Sequence, residues 1–183
     1  MKKIILTFGL ISGAVSSLMM IGTVPFQHNI PYDKALIIGY TTMVLSFLLV
    51  YFGMRSYRDN AAGGQITFAK AFGVGIAITL ISCLCYVVTW EIIYFNFMHN
   101  FMDDYNAHVI AKAKASGASP AAIQEQMQQL KRSKDLYENP LYNSALTFIE
   151  PFPVGLVITL ISALIVKRKA PSAAPPALTV PCS

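Results

Sequence analysis

Four apolar blocks, each about as long as a lipid bilayer is thick, decide what this chain can fold into. They cover residues 4–24, 35–54, 71–95 and 146–166, and none holds Asp, Lys or Arg in its interior. A helix needs about 20 predominantly apolar residues to cross roughly 30 Å of hydrocarbon, and each block meets that length. The pattern predicts an all-α integral membrane protein, a bundle of four spanning helices. The first block follows Lys2 and Lys3, as the core of a secretory signal would. It is longer than such a core, about 7–15 residues, and reaches Thr23-Val24-Pro25-Phe26 with no A-x-A-like cleavage site. We therefore read it as a retained helix.

Charge gives the orientation. Only 13% of residues are charged, against about 25% in soluble domains, and the 14 Lys and Arg give a net +5. A basic chain can bind nucleic acid, but these residues flank the apolar blocks instead of lining one polar face, which argues against that partner. Lys2, Lys3, Arg55, Arg58, Lys70, Lys167, Arg168 and Lys169 all fall on one side if the N-terminus is inside. The short loop on the other side holds only Lys34, and a long loop is translocated largely regardless of charge. This predicts a multi-pass membrane protein with both termini in the cytoplasm. Arg55, Arg58, Lys70, Lys167, Arg168 and Lys169 are then placed to meet anionic headgroups, so membrane lipids are the first expected partners. Cys83 and Cys85 lie within the third block and Cys182 in the tail, so no cysteine falls in the outer loops to form a disulfide there.

Residues 1–169 form the membrane domain in this reading, and residues 170–183, rich in Pro and Ala, form a disordered cytoplasmic tail. Between the third and fourth spans, residues 96–139 predict a helical hairpin in the outer, periplasmic loop. Phe97, Phe101, Tyr105 and Val109 repeat at four-residue spacing, which extends the third span outward as an amphipathic helix. Gly117 marks its stop. Ser119-Pro120 then supplies an N-cap and a first-turn proline, and Ile123, Met127 and Leu130 give the second helix its apolar face. Asn139-Pro140 ends it. Small residues recur every four positions in the spans: Gly9, Gly13 and Ser17 in the first, Ala69, Gly73 and Ala77 in the third, and Gly155, Thr159 and Ala163 in the fourth. Such stripes let helices approach closely in lipid, within one chain or between copies. Segment 74–84 also echoes segment 154–164, VGIAITLISCL against VGLVITLISAL. In this topology the two helices run in opposite directions, as in inverted repeats.

Glu91 and Glu150 are the strongest candidates for chemistry, as ionisable groups near the outer boundary of the hydrocarbon. A close pair can share a proton or hold a cation or substrate. Beside Trp90 and Tyr94, both also fit an interfacial belt. His99 with Asp103, and Asp104 with His108, are i, i+4 pairs on different faces and do not converge on a metal. No phosphate-binding loop, nucleophile elbow or H-E-x-x-H is present. We accordingly expect no catalytic residue, no metal and no cofactor.

Tyr57-Arg58 followed by Gly63-Gly64-Gln-Ile-Thr-Phe-Ala-Lys-Ala-Phe72, then Thr147-Phe-Ile-Glu-Pro-Phe-Pro-Val-Gly155 leading to Lys167-Arg-Lys169, resembles a family of small bacterial multi-pass membrane proteins catalogued as a domain of unknown function, the DUF4199 type. The likeness covers nearly the whole chain except the tail. It implies four helices in the inner membrane and no particular activity. The expectation is a non-enzymatic protein acting through protein or lipid interactions, as a homo-oligomer or with another envelope protein. The alternative is a small transporter or ion-permeation subunit that uses the boundary carboxylates.

Overall fold

Long apolar runs become helices because a helix satisfies its own backbone groups. The computed structural model describes residues 1–23 and 32–168; Lys169, His28 and the tail read as disordered lie outside the described residues. Seven helices follow in order among the described residues: α1 (Lys2–Thr23), α2 (Tyr32–Ala61), α3 (Phe68–Phe97), α4 (Phe101–Ala115), α5 (Pro120–Tyr137), α6 (Pro140–Ile149) and α7 (Pro151–Val166). Among the described residues there is no strand, only an isolated bridge between Ile66 and Arg168. Four helical stretches among the described residues are long and apolar enough to cross a membrane: Lys2–Thr23, Leu36–Ala61, Phe68–Phe97 and Pro140–Val166.

Burial is inverted relative to a soluble protein. Leu10, Ile37, Leu84, Val88, Ile161 and Ile165 point outward, while Ser12, Ser46, Thr79, Ser82 and Thr159 are fully or nearly fully buried. This is what lipid selects, with apolar side chains on the outside and small polar groups hydrogen-bonded between helices. Where α1, α2 and α3 meet, the Ser12 hydroxyl donates to the Ser46 carbonyl (3.0 Å) and Ser46 donates back to the Ser12 carbonyl (2.7 Å). The Ser82 hydroxyl completes the cluster, 3.0 Å from that of Ser12.

The helices pair in fixed registers. A Cβ on Gly9 would meet Ile81, one on Gly13 would meet Cys85, and Thr89 donates a 2.8 Å hydrogen bond to Ser17. Each step is four residues along both helices in the same direction, so α1 and α3 run parallel. Phe47 against Gly155, and Arg58 against the Val166 carbonyl (3.3 Å), set α2 parallel to α7 in the same way. The α3–α7 pair is antiparallel and made by the two echoing segments themselves. Gly75 faces the Thr159 methyl, Gly155 faces the Thr79 methyl, and the two threonine hydroxyls lie 2.9 Å apart. Equivalent residues of the two segments thus meet across a local twofold.

Two readings of the spans change. In α3 the stripe of Ala69, Gly73 and Ala77 is not the packing face: a Cβ on Gly73 would touch nothing within 4 Å. The close contact is at Gly75, two residues and so about 200° further around the helix. The fourth span begins at Pro140, earlier than residue 146, with a break at Glu150–Pro151 between α6 and α7. Pro151 has no N–H to continue the ladder.

At the end where α3 starts, Gly63 and Gly64 turn the chain with φ of 61° and 79°, a region open to glycine at little cost. The Thr67 hydroxyl caps α3 by accepting from Lys70 N. Tyr57 and Arg58 are buried here, not spread at a lipid-facing rim. The Arg58 guanidinium donates to both Asp59 oxygens (2.7 and 3.1 Å) and to the Val166 carbonyl at the end of α7. Arg58 thus binds an exposed neighbouring carboxylate and the end of α7, while Arg55, Lys70, Lys167 and Arg168 are exposed.

Candidate functional site

The opposite end of the spans carries the hairpin, and its seating creates a cavity. The extension of α3 is not continuous: the helix ends at Phe97, and the chain turns through Met98 to Asn100 before α4 begins. The turn brings Phe101 back over the end of α3, edge-on to Trp90 (ring centroids 5.1 Å) and to Tyr94 (6.4 Å). Local signals set the remaining boundaries as expected. Gly117 takes a positive φ of 77° after α4, Ser119 caps α5 by accepting from Ala122 N, and Asn139 caps α6 by accepting from Leu141 N and Tyr142 N. The α4–α5 pair is tied by Lys134 Nζ to Asp103 (2.6 Å), and that bond holds the Lys134 ammonium above the usual lysine range.

Asn143 joins the hairpin to the spans. It is completely buried. Its Oδ1 accepts from Trp90 Nε1 (3.1 Å) and from the Thr147 hydroxyl (3.1 Å), and its Nδ2 donates to the Tyr137 carbonyl (3.3 Å). Trp90 Nε1 also donates to the Tyr137 hydroxyl (2.9 Å). Tyr137 stands edge-on to Tyr94 (5.1 Å), and burial pushes its phenol up to about 12. Phe101 and Tyr137 thereby form a roof held by rings and hydrogen bonds.

Below the roof lies a cavity of about 370 Å³ between the last turns of α1, the first turns of α2, α3 and α6. Met19, Met20, Met43, Tyr40 and Leu146 supply an apolar wall, and Ser16, Thr42 and Thr147 a few hydroxyls. Trp90 and Tyr86 come from α3, and Glu150 comes from the break between α6 and α7. The cavity is mostly apolar with a small number of polar groups, as small-molecule sites usually are.

The two candidate carboxylates part company. Ile66 and Arg168 pair, so the start of α3 and the end of α7 are level. At about 1.5 Å per residue, Glu91 is roughly 36 Å from that level and Glu150 roughly 26 Å. Glu150 therefore lies about 10 Å closer to that level than Glu91 does. Glu91 accepts from the Ser144 hydroxyl (2.9 Å) and does not line the cavity. Glu150 lines it together with Tyr86. The stripe residues Gly9, Gly13, Ser17 and Gly155 serve helix contacts inside this one chain. Among the described residues no three His, Cys, Asp or Glu side chains are grouped to hold a metal ion.

Sequence reasoning finds Glu150 and Trp90 but not the cavity, nor Asn143. The only signal for Asn143 is a polar Tyr-Asn-Ser run at the mouth of an apolar block, which reads as loop. The chain matches no curated protein and no solved structure. Residues 7–168 match the family described as "Protein of unknown function (DUF4199)", so the chain belongs to that family, and no activity comes with the membership.

Proposed function

We propose that this is a non-enzymatic, multi-pass protein of the bacterial inner membrane that binds an amphiphile of the outer leaflet in the cavity beneath its hairpin. In this reading the end with Arg55, Arg58 and Arg168 faces the cytoplasm and the hairpin faces the periplasm, in line with the distribution of Lys and Arg. The observation that carries the proposal is the cavity itself. It is walled by Met, Tyr and Trp, roofed by Phe101 and Tyr137, and lies at the end of the spans where lipid meets water. Permeation has the depth of Glu150 in its favour. Against it, the core beyond the cavity is filled by Phe47, Val50, Met54 and Ile78, each at most 2% exposed, so a path through one copy would need these side chains to move.

Gly39 offers a direct test. It lines the cavity, and a Cβ there would touch nothing within 4 Å. Gly39→Phe is expected to fill the space without unfolding the protein. Native mass spectrometry of gently solubilised protein should show a bound amphiphile on the wild type and roughly a tenfold lower bound fraction on the variant. Equal occupancy of the two would remove the cavity as the binding site. Sidedness is checked separately. A cysteine at Ser116, exposed at the hairpin tip, should react with a membrane-impermeant maleimide applied to intact spheroplasts. Labelling only after lysis would reverse the orientation.

A further inference from the structure

The charge pattern of this cavity narrows what fits it. Among the described residues Glu150 is the only carboxylate on its wall, and no lysine, arginine or histidine lines it. No ion pair among the described residues involves Glu150, and Tyr86 lines the cavity with it. Around it stand the rings of Tyr40, Tyr86, Trp90 and Tyr137, from three different helices. Aromatic faces attract a cation electrostatically, and more strongly when water is excluded. A single acid among such rings selects a positive partner and gives nothing to a negative one.

We infer that the cavity recognises an organic ammonium group, caged by Tyr40, Tyr86 and Trp90 and charge-paired with Glu150, with the ligand's apolar part along Met19, Met20 and Met43. This rests on the proposal that the cavity binds an amphiphile and adds the charge of the part that enters. The bulk of the methionine and tyrosine wall suits an alkylated ammonium or a primary amine on a short chain better than a hydrated metal ion. A hydrated ion would need several oxygen ligands, and among the described residues one carboxylate lines the cavity.

The test uses two probes of one shape, phenyltrimethylammonium and its neutral carbon isostere tert-butylbenzene, added to the full chain in neutral maltoside micelles. Trp90 is the only tryptophan in the protein, so its emission reports on the cavity wall directly. The cation should quench it saturably, and the isostere should bind about tenfold more weakly or worse. Glu150→Gln keeps the shape of the side chain and should weaken the cation at least tenfold while leaving the isostere unchanged. Glu91→Gln, outside the cavity, should leave both probes unchanged. Elution of each variant as the same single species on size exclusion keeps a folding defect from imitating the result. Equal binding of the two probes, indifferent to Glu150→Gln, would overturn the ammonium inference and leave the amphiphile site standing. Absence of saturable binding by either probe, together with equal amphiphile occupancy of wild type and Gly39→Phe, would overturn both. Equal losses in Glu91→Gln and Glu150→Gln would also count against the inference. If the cation binds as expected, displacement by a short-chain phosphatidylethanolamine assigns the ammonium to a lipid headgroup, and displacement by a free alkylamine alone assigns it to a soluble ligand.

Discussion

Asn143→Leu is expected to release the hairpin from the spans. The asparagine has no exposed surface, and its side chain is engaged with Trp90, Thr147 and the Tyr137 carbonyl. Leucine has similar bulk but leaves the Thr147 hydroxyl without that acceptor and the Tyr137 carbonyl without its donor. A buried polar group stripped of its partner costs about 1–3 kcal/mol, so a total near 3 kcal/mol is expected, among the larger effects of single substitutions. Trp90 retains the Tyr137 hydroxyl only while α5 stays seated. Its emission should therefore shift to the red, and protease should cut the hairpin at the Gly117 turn far faster than in the wild type. Asn143→Asp keeps the acceptor for Trp90 and should lose less. An unchanged cleavage rate in Asn143→Leu would mean that the ring contacts of Phe101 and Tyr94 hold the roof without the network.

Gly13→Ala is the second substitution with a large expected effect, although it adds a single carbon. That carbon would lie 2.6 Å from the Cβ of Cys85 and 2.8 Å from its sulfur. The sulfur can rotate away, but the Cβ is fixed to the α3 backbone, so the two helices must separate. Crowding of this kind costs about 1–3 kcal/mol, and separating the helices also lengthens the Ser12–Ser82 contact one turn away. The thermal midpoint in micelles should fall by several degrees. Gly73→Ala, with nothing within 4 Å of the new carbon, should be neutral or slightly stabilising, because alanine is the better helix former. Cys85→Gly in the Gly13→Ala background should recover part of the loss, and Cys85→Ala, which keeps the Cβ, should recover almost none. A result in which Gly13→Ala and Gly73→Ala behave alike would remove the α1–α3 register.

What the sequence makes legible is whatever depends on neighbours along the chain. The four spans follow from block length alone, and the hairpin helices from Gly117, Ser119-Pro120 and Asn139-Pro140, whose capping groups act within a turn. The α3–α4 break is different. Phe97, Phe101, Tyr105 and Val109 stay in phase across it, so periodicity favours one helix, and only the docking of Phe101 on Trp90 and Tyr94 explains the turn. Tyr142, Asn143 and Ser144 look like loop because their partners, Trp90, Tyr137 and Glu91, lie elsewhere in the sequence. Gly73 and Gly75 both sit at small-residue spacing, and only the neighbouring helix decides which of them is crowded. Arg58 and Tyr57 sit among headgroup-type residues in the sequence, yet the end of α7 covers them. The cavity needs the ends of several helices at once, and no local pattern encodes that.

The pairing of α3 with α7 bears on how the protein is made. Thr79, Gly75 and Arg58 emerge from the ribosome long before Thr159, Gly155 and Val166, their partners across the interface. Until the last span arrives, a threonine hydroxyl and a guanidinium wait in or beside lipid with no acceptor from α7, a state that lipid penalises. The last span therefore completes hydrogen bonds that the first three cannot make among themselves. A product truncated before Pro140 would present the same uncovered groups permanently, a chemical mark by which a membrane protease can tell an unfinished copy from a complete one.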